Sequence, residues 1–143
     1  MLKKIIARPH ILFFSFVPIF IIIGLFKMKT FFNINVDYIY FDLNVSLVCN
    51  ITAVFFLLIG FNYYSLIWVQ KTPKKTLTII HIVLQLLTLI PFITLVFSID
   101  SKDSSSLQFL NNNFILIISF LIFIVSIFVH LINFFSSLFS KSE

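Results

Sequence analysis

The chain of 143 residues is 60% hydrophobic and only 10% charged, and it contains 21 Phe but 2 Gly. A soluble domain is usually about half apolar and about a quarter charged, so this chain lacks the polar surface that a soluble or disordered protein needs. The net charge of +5 is modest. Because nearly all of the remaining sequence suits lipid, nucleic acid is excluded as the expected partner. The length predicts a single domain, residues 1–143.

Four apolar runs have the length of membrane-spanning helices. Spans of roughly 20 apolar residues cross a hydrocarbon core about 30 Å thick, and none of the four runs contains Lys, Arg, Asp or Glu. In lipid the backbone must satisfy its own hydrogen bonds, which favours helices over open strands. The sequence therefore predicts an all-α fold, a bundle of four transmembrane helices. Their limits are about 11–26, 43–69, 76–99 and 114–139.

The first run resembles both a helix and a signal peptide. It is short, Pro18 interrupts it, and the basic residues Lys3, Lys4 and Arg8 precede it as in a signal peptide. No small-residue cleavage site follows, because the next residues are Lys27-Met28-Lys29. We interpret it as a retained helix.

Loop charges predict the topology. One side of the membrane would carry seven basic residues, whereas the other would carry three lysines and four aspartates. Basic loops favour the cytoplasm, so both termini are expected there. Tyr63, Tyr64 and Trp68 would form an aromatic belt near the cytoplasmic end of the second helix. The seven basic residues are Lys3, Lys4, Arg8, Lys71, Lys74, Lys75 and Lys141.

The linkers suggest turns, solvated charges and one helix cap. Pro73 predicts a tight turn in residues 71–75, and residues 100–106 form a polar loop. Asn111–Asn113 are expected to cap the start of the fourth helix. Asp37 and Asp42, at the outer edge of the second helix, are interpreted as solvated.

Polar residues recur at helical spacing within the last three runs, which predicts that these faces point inward. Cys49 is expected to be an inert buried thiol. The inward stripes are Ser46, Asn50, Ala53 and Gly60 in the second run, Thr78, His81, Gln85 and Thr88 in the third, and Ser119, Ser126, His130, Asn133 and Ser137 in the fourth.

His81 and His130 are the candidate cofactor-binding residues. They lie on consecutive antiparallel helices at similar depth, and His10 lies toward the same side. Facing imidazoles could bind a haem axially or share a metal ion. The simpler interpretation is that each histidine hydrogen-bonds within the bundle, so we expect no cofactor and keep haem as the alternative.

The second run resembles a known helix of a large family. Residues 36–46 read VDYIYFDLNVS, followed by Ala53-Val54-Phe55 and Gly60-Phe61. This resembles the tenth helix of subunit I of the haem–copper (cytochrome c type) oxidases, which reads H-D-T-Y-F-V-V-A-H-F-H, then A-V-F and G-F-Y-Y. Asp37 falls on the family's Asp without a gap. Ile80-His81 is similar to the family's I-H-F in the eleventh helix. The resemblance implies that the chain corresponds to the last four helices.

The chain departs from that pattern at the haem-ligand positions, and these departures limit the function that the resemblance implies. The family's two haem-ligating histidines correspond to Asn44 and Ser46, and the His before its Asp corresponds to Val36. Neither Asn nor Ser is an ordinary axial haem ligand. The copper ligands of the family belong to helices outside this resemblance. Oxygen reduction by this chain alone is therefore unsupported.

These observations lead to one main functional hypothesis and two alternatives. We expect a non-catalytic protein of a bacterial inner membrane that contacts lipid and binds another membrane protein, with a respiratory component or a second copy as candidates. The first alternative is a small haem- or metal-binding electron carrier that uses His81 and His130. A transporter or channel is disfavoured, because no span carries a charge that would line a pathway.

Overall fold

The computed structural model describes residues 8–36, 39–98 and 106–139, and it describes side chains in these ranges except at 33–41, 98 and 106–113. In chain order, the described elements are four helices and a two-stranded antiparallel sheet between the first two helices. They are α1 (Pro9–Phe26), β1 (Phe31–Val36), β2 (Ile39–Asn44), α2 (Val45–Trp68), α3 (Lys75–Ser98) and α4 (Ser106–Leu138).

All four described helices are long and apolar enough to cross a membrane. The apolar stretches are Pro9–Phe26, Val45–Trp68, Lys75–Phe97 and Phe114–Leu138. Large apolar side chains are exposed along every one of them, including Ile90, which is 64% exposed. Because the surfaces of these helices are apolar, the exposed side chains face lipid. The expectation of an integral membrane protein with four spanning helices is confirmed.

Helices α1 and α2 pack against each other in opposite directions. The rings of Phe13 and Tyr63 stack with centroids 5.7 Å apart near one end, and those of Phe20 and Phe56 lie 5.3 Å apart further along. Near the other end the backbones approach closely, because a Cβ atom placed on Gly24 would lie only 3.2 Å from the Cβ of Cys49. Glycine at this position permits the close approach.

Helices α3 and α4 form a second antiparallel pair, held by polar side chains. Asn133 Nδ2 donates to Thr78 Oγ1 at 2.9 Å, and Ser126 Oγ donates to Gln85 Oε1 at 3.0 Å. The two pairs join where Phe13 of α1 stacks on His81 of α3, with centroids 5.0 Å apart. α1 therefore begins and α4 ends at the same end of the bundle.

A β-hairpin that the sequence analysis did not predict connects α1 to α2. β1 and β2 are antiparallel, in a register that pairs Phe32 with Leu43 and Asn33 with Asp42. Both segments alternate apolar and polar residues, which is the strand period. Phe32 is buried, with its ring centroid 5.9 Å from that of Phe92 on α3. Apolar content alone did not reveal strands this short.

The hairpin also changes where the second helix begins. α2 starts at Val45, so Asp42 lies on a strand, where it is exposed as expected, and not at a helix edge. Asp37 lies outside the described residues. The segment that resembles the oxidase helix is divided between β1, β2 and α2.

Asn44 fixes the junction between hairpin and helix. Its side-chain oxygen accepts a hydrogen bond from the Leu47 backbone N–H at 3.2 Å, which caps α2. Its Nδ2 donates to the Met28 carbonyl at 3.0 Å. The neighbouring Val45 N–H donates to the Thr30 carbonyl at 3.0 Å. The start of α2 is thus tied to the end of α1.

The first helix agrees with its predicted span of about 11–26 and includes Pro18, which interrupts the apolar run but not the helix, since membrane helices tolerate proline. The predicted start of the fourth helix was wrong. α4 begins at Ser106, so Asn111–Asn113 lie inside the helix and do not cap it. The hydropathy pattern locates only the part that lipid requires, which is Phe114–Leu138, whereas the helix continues beyond it.

The turn after α2 is closed by backbone hydrogen bonds. The Gln70 N–H donates to the Ile67 carbonyl at 2.9 Å, and the Lys71 N–H donates to the Leu66 carbonyl at 2.8 Å. This is the Schellman pattern, and it places Gln70 in the left-handed region at φ 59°. The motif reverses the chain ahead of Pro73, consistent with the predicted tight turn.

We expect Asn44→Ala to lower the free energy of unfolding by about 1–2 kcal/mol, because both the helix cap and the bond to Met28 are lost. Asn44→Asp keeps the capping oxygen but loses the donor, so its loss should be smaller. Reversible SDS unfolding in mixed micelles, followed by circular dichroism, measures both. Equal losses for the two variants would show that the cap contributes nothing.

Candidate functional site

The predicted polar stripes of α3 and α4 meet in the centre of the bundle. Every member is buried, from fully enclosed His81 to Ser119, which is 7% exposed. The inward orientation of both stripes is therefore confirmed. Lipid offers polar side chains no partner, so the helices bury them against each other. The members are Thr78, His81, Gln85 and Thr88 on α3 and Ser119, Ser126, His130, Asn133 and Ser137 on α4.

His81 and His130 lie side by side within this polar interface. Their ring centroids are 4.8 Å apart and the ring planes are inclined by 31°. The predicted proximity of the two histidines is confirmed. His10 lies at the same end of the bundle, but its ring packs edge-on against Tyr64 at 5.7 Å.

Tyr63 of α2 connects the pair to the loop between α2 and α3. Its hydroxyl lies 3.0 Å from His81 Nδ1 and accepts a 3.4 Å hydrogen bond from Asn133 Nδ2. The side-chain oxygen of Asn133, Oδ1, accepts a hydrogen bond from the Lys74 backbone N–H at 3.1 Å. The network therefore joins three helices and one loop.

The side chains of α2 hydrogen-bond one nitrogen of each ring. The Tyr63 hydroxyl lies 3.0 Å from His81 Nδ1 and can donate to it or accept from it, because a hydroxyl has one proton and two lone pairs. Asn62 Nδ2 lies 3.2 Å from His130 Nε2 and donates to it, which leaves the hydrogen of His130 on Nδ1. Each ring thus directs its second nitrogen away from its partner on α2.

These two second nitrogens have no hydrogen-bond partner within the described part of the chain. His81 Nε2 and His130 Nδ1 are both buried without a hydrogen-bond partner, and so is the neighbouring Gln85 Nε2. An unsatisfied buried donor costs about 1–3 kcal/mol. Buried groups of this kind usually meet a water, an ion or a ligand, so the pair is the best candidate site in the described bundle.

The distance between the two histidine rings limits which cofactor the pair could bind. At a centroid separation of 4.8 Å the imidazoles are in contact, so an axial haem would require them to move apart. A single ion would instead take the two unpartnered nitrogens as its ligands, and a ring nitrogen that carries a proton must lose it before it can bind the ion. In the described ranges, no group of three or more His, Cys, Asp and Glu side chains could hold a metal.

The sequence analysis misplaced Tyr63 and missed Asn62. Tyr64 and Trp68 are 49% and 80% exposed, as an interfacial belt requires, but Tyr63 is 1% exposed. Ala53 and Gly60 mark the inner face of α2, and Tyr63 lies three residues after Gly60 on the same face. Continuing that helical spacing would have predicted its burial. No sequence pattern marked Asn62, because its role follows only from its 3.2 Å distance to His130 in the structure.

Asn50 is the other departure from the predicted stripes. Ala53 and Gly60 are buried and Ser46 is half-buried, but Asn50 is exposed. The buried line of α2 runs through Cys49, the predicted buried thiol, and Asn50 lies one residue around the helix from it. Its side chain lies at the edge of the α1–α2 contact, where Asn50 Oδ1 would be 3.5 Å from a Cβ atom placed on Gly24, and it remains exposed.

Comparison of the chain with protein-family models, curated proteins and solved structures gives no match.

We expect Tyr63→Phe to lower the free energy of unfolding by about 1–3 kcal/mol, because His81 Nδ1 loses its partner inside the bundle. Tyr64→Phe is the matched control, since it removes a hydroxyl from an exposed neighbour and should change stability little. SDS unfolding of both variants measures the difference. Equal stability of the two variants would mean that the Tyr63–His81 hydrogen bond contributes nothing.

Proposed function

We propose that the chain is a non-catalytic integral membrane protein, with both termini in the cytoplasm, that acts by binding another membrane protein. The loop charges support this orientation. The observation that carries the proposal is the exposed side chain of Asn50, at the edge of the contact between α1 and α2. The apolar exposure of the helices by itself would support contact with lipid alone.

Asn50 has the chemistry of a contact residue. It lies in the second turn of α2 and is exposed, and no described group hydrogen-bonds to its amide. An unpaired amide on the outside of a spanning helix is unfavourable in lipid. Polar side chains of this type join neighbouring helices in membranes. A partner helix that supplies a donor and an acceptor at this depth would satisfy the amide.

The resemblance to oxidase subunit I supports a respiratory component of a bacterial inner membrane as the partner class. The positions of the family's haem ligands support a non-catalytic role. Asn44 here caps α2, and Ser46 lies in the first turn of that helix. Both residues have chemistry suited to a helix start, and neither is an ordinary haem ligand.

We expect Asn50→Leu to reduce co-purification of a partner from native membranes in gentle detergent, because the leucine cannot supply the interhelical hydrogen bond. Asn50→Gln retains the amide and should retain the partner. Quantitative mass spectrometry of tagged wild type and both variants measures the change.

Leu58→Ala, at another exposed position of α2, controls for non-specific loss of apolar contact. A wild-type protein that purifies without any partner, including another copy of itself, would contradict the proposal.

A second candidate function is the binding of a metal ion or haem for electron transfer, as in the alternative hypothesis from the sequence. The unpartnered nitrogens of His81 and His130 favour it, and the two rings are neighbours, with centroids 4.8 Å apart. Imidazole nitrogens bind Zn, Cu and Fe ions at about 2 Å.

We expect protein purified from native membranes, if this second function is correct, to contain about one metal ion or haem per chain. His81→Ala and His130→Ala should each abolish it, while His10→Ala should not. Metal analysis together with the absorbance spectrum measures both. Metal-free protein without a Soret band would exclude this function.

A further inference from the structure

The histidine pair belongs to a small polar cluster formed by two helical turns. Gln85 follows His81 by four residues on α3, and His130 follows Ser126 by four residues on α4, so each helix contributes two neighbours on one face. Because the helices are antiparallel, His81 meets His130 and Gln85 meets Ser126. We propose that this cluster binds one buried water molecule through His81 Nε2, Gln85 Nε2 and His130 Nδ1.

These three nitrogens are enclosed by the bundle. None has a hydrogen-bond partner among the described residues, and the side chains of His81, Gln85 and His130 are only 0%, 1% and 3% exposed. Helical side chains lean toward the N-terminus of their own helix. The amide of Gln85 therefore leans toward the level of His81, and the ring of His130 leans toward the level of Ser126. Both movements bring the nitrogens into the space between the two helix contacts.

Two of the three nitrogens are hydrogen-bond donors. Gln85 Oε1 accepts from Ser126 Oγ at 3.0 Å, so the free end of this amide is its NH₂ group. Asn62 Nδ2 donates to His130 Nε2, which leaves a hydrogen on His130 Nδ1. A metal ion requires a lone pair on each ligand atom. These two groups favour a ligand that accepts hydrogen bonds.

The third nitrogen, His81 Nε2, completes the site as an acceptor. The Tyr63 hydroxyl accepts from Asn133 Nδ2 and keeps its second lone pair for a hydrogen on His81 Nδ1. The hydroxyl then donates its own proton to Thr78, which also hydrogen-bonds it. Thr78 Oγ1 in turn donates to the Lys74 carbonyl at 3.0 Å. With its hydrogen on Nδ1, His81 presents the lone pair of Nε2 to the cluster.

Water matches two donors and one acceptor. It accepts from Gln85 Nε2 and His130 Nδ1, and it donates to His81 Nε2. The resulting number of hydrogen bonds, about three, is typical of a buried water. A simple anion has no hydrogen to give to His81, and a metal ion cannot accept from the other two groups. The arrangement therefore selects a neutral ligand that both donates and accepts.

Nitrogen NMR of the two rings tests the inference. The full chain is labelled with ¹⁵N on histidine and glutamine and placed in lipid vesicles, and single His→Ala variants assign the signals. We expect His81 and His130 each to carry a hydrogen on Nδ1 and a lone pair on Nε2. A hydrogen on Nε2 of His81 would overturn the inference, because three donors would then face the cluster.

Transfer of magnetisation from water to side-chain N–H groups detects the bound molecule directly. With asparagine labelled as well, we expect transfer to the Gln85 NH₂ group and none to that of Asn133. Asn133 is the matched control, since it is equally buried in the same interface but donates to Thr78 and Tyr63. No transfer to Gln85, or equal transfer to both amides, would contradict the proposal.

Substitution of Gln85 tests its share in the site. Gln85→Met keeps a side chain of similar length but removes the donor, so the water contact at His130 Nδ1–H should weaken several-fold. Ser126→Ala removes the bond to Gln85 Oε1 but leaves the donor, so the contact should weaken less. Equal contact in wild type and Gln85→Met would rule out a role for Gln85. The two wild-type measurements do not depend on the folding of either variant.

The water site is independent of the partner proposed for Asn50, and it competes with metal binding at the same nitrogens. Protein that holds one metal ion per chain and lacks the hydrogen on His130 Nδ1 would support the second candidate function and overturn the water site. Metal-free protein that shows the water contact would support the water site and leave the partner proposal unaffected.

Discussion

The low capacity of lipid to solvate polar groups is the constraint on which the bundle depends. An apolar side chain gains little by leaving lipid for another helix, because both surroundings are hydrocarbon. The few polar side chains therefore determine which helix faces meet. Thr78, Gln85, Ser126 and Asn133 hold α3 to α4 through direct hydrogen bonds, whereas α1 joins the assembly mainly through aromatic contacts such as that of Phe13 with His81.

The same constraint explains which features were predictable. Helical spacing predicted the inward stripes of α3 and α4 and the neighbouring positions of His81 and His130. Polar side chains in a membrane span find partners only on other helices, so they face the bundle interior. The β-hairpin was not predicted, because its strands lie outside the spanning helices, where apolarity no longer distinguishes strand from helix. Asn50 and Tyr63 each differ from their predicted positions by a small rotation around α2. The spacing of Ser46, Asn50, Ala53 and Gly60 was too coarse to predict the rotation of α2 about its axis.

Two surfaces of α2 thus have different chemistry. Its inner face gives Asn62 and Tyr63 to the histidine pair and its outer face carries the exposed amide of Asn50. The single-residue offset between Cys49, which is buried, and Asn50, which is not, sets the boundary between the two surfaces.

The hydrogen bond from the Lys74 N–H to Asn133 has a consequence for biogenesis. Asn133, His130 and Ser126 all belong to α4, which is made after α1, α2 and α3. Until that helix enters the bilayer, the loop before α3 and the polar side of α3 lack their internal partners and must rely on water, headgroups or the insertion machinery. Insertion of α4 is therefore the step that supplies the polar side of α3 with its partners, so the four helices reach their packing only after α4 has been made.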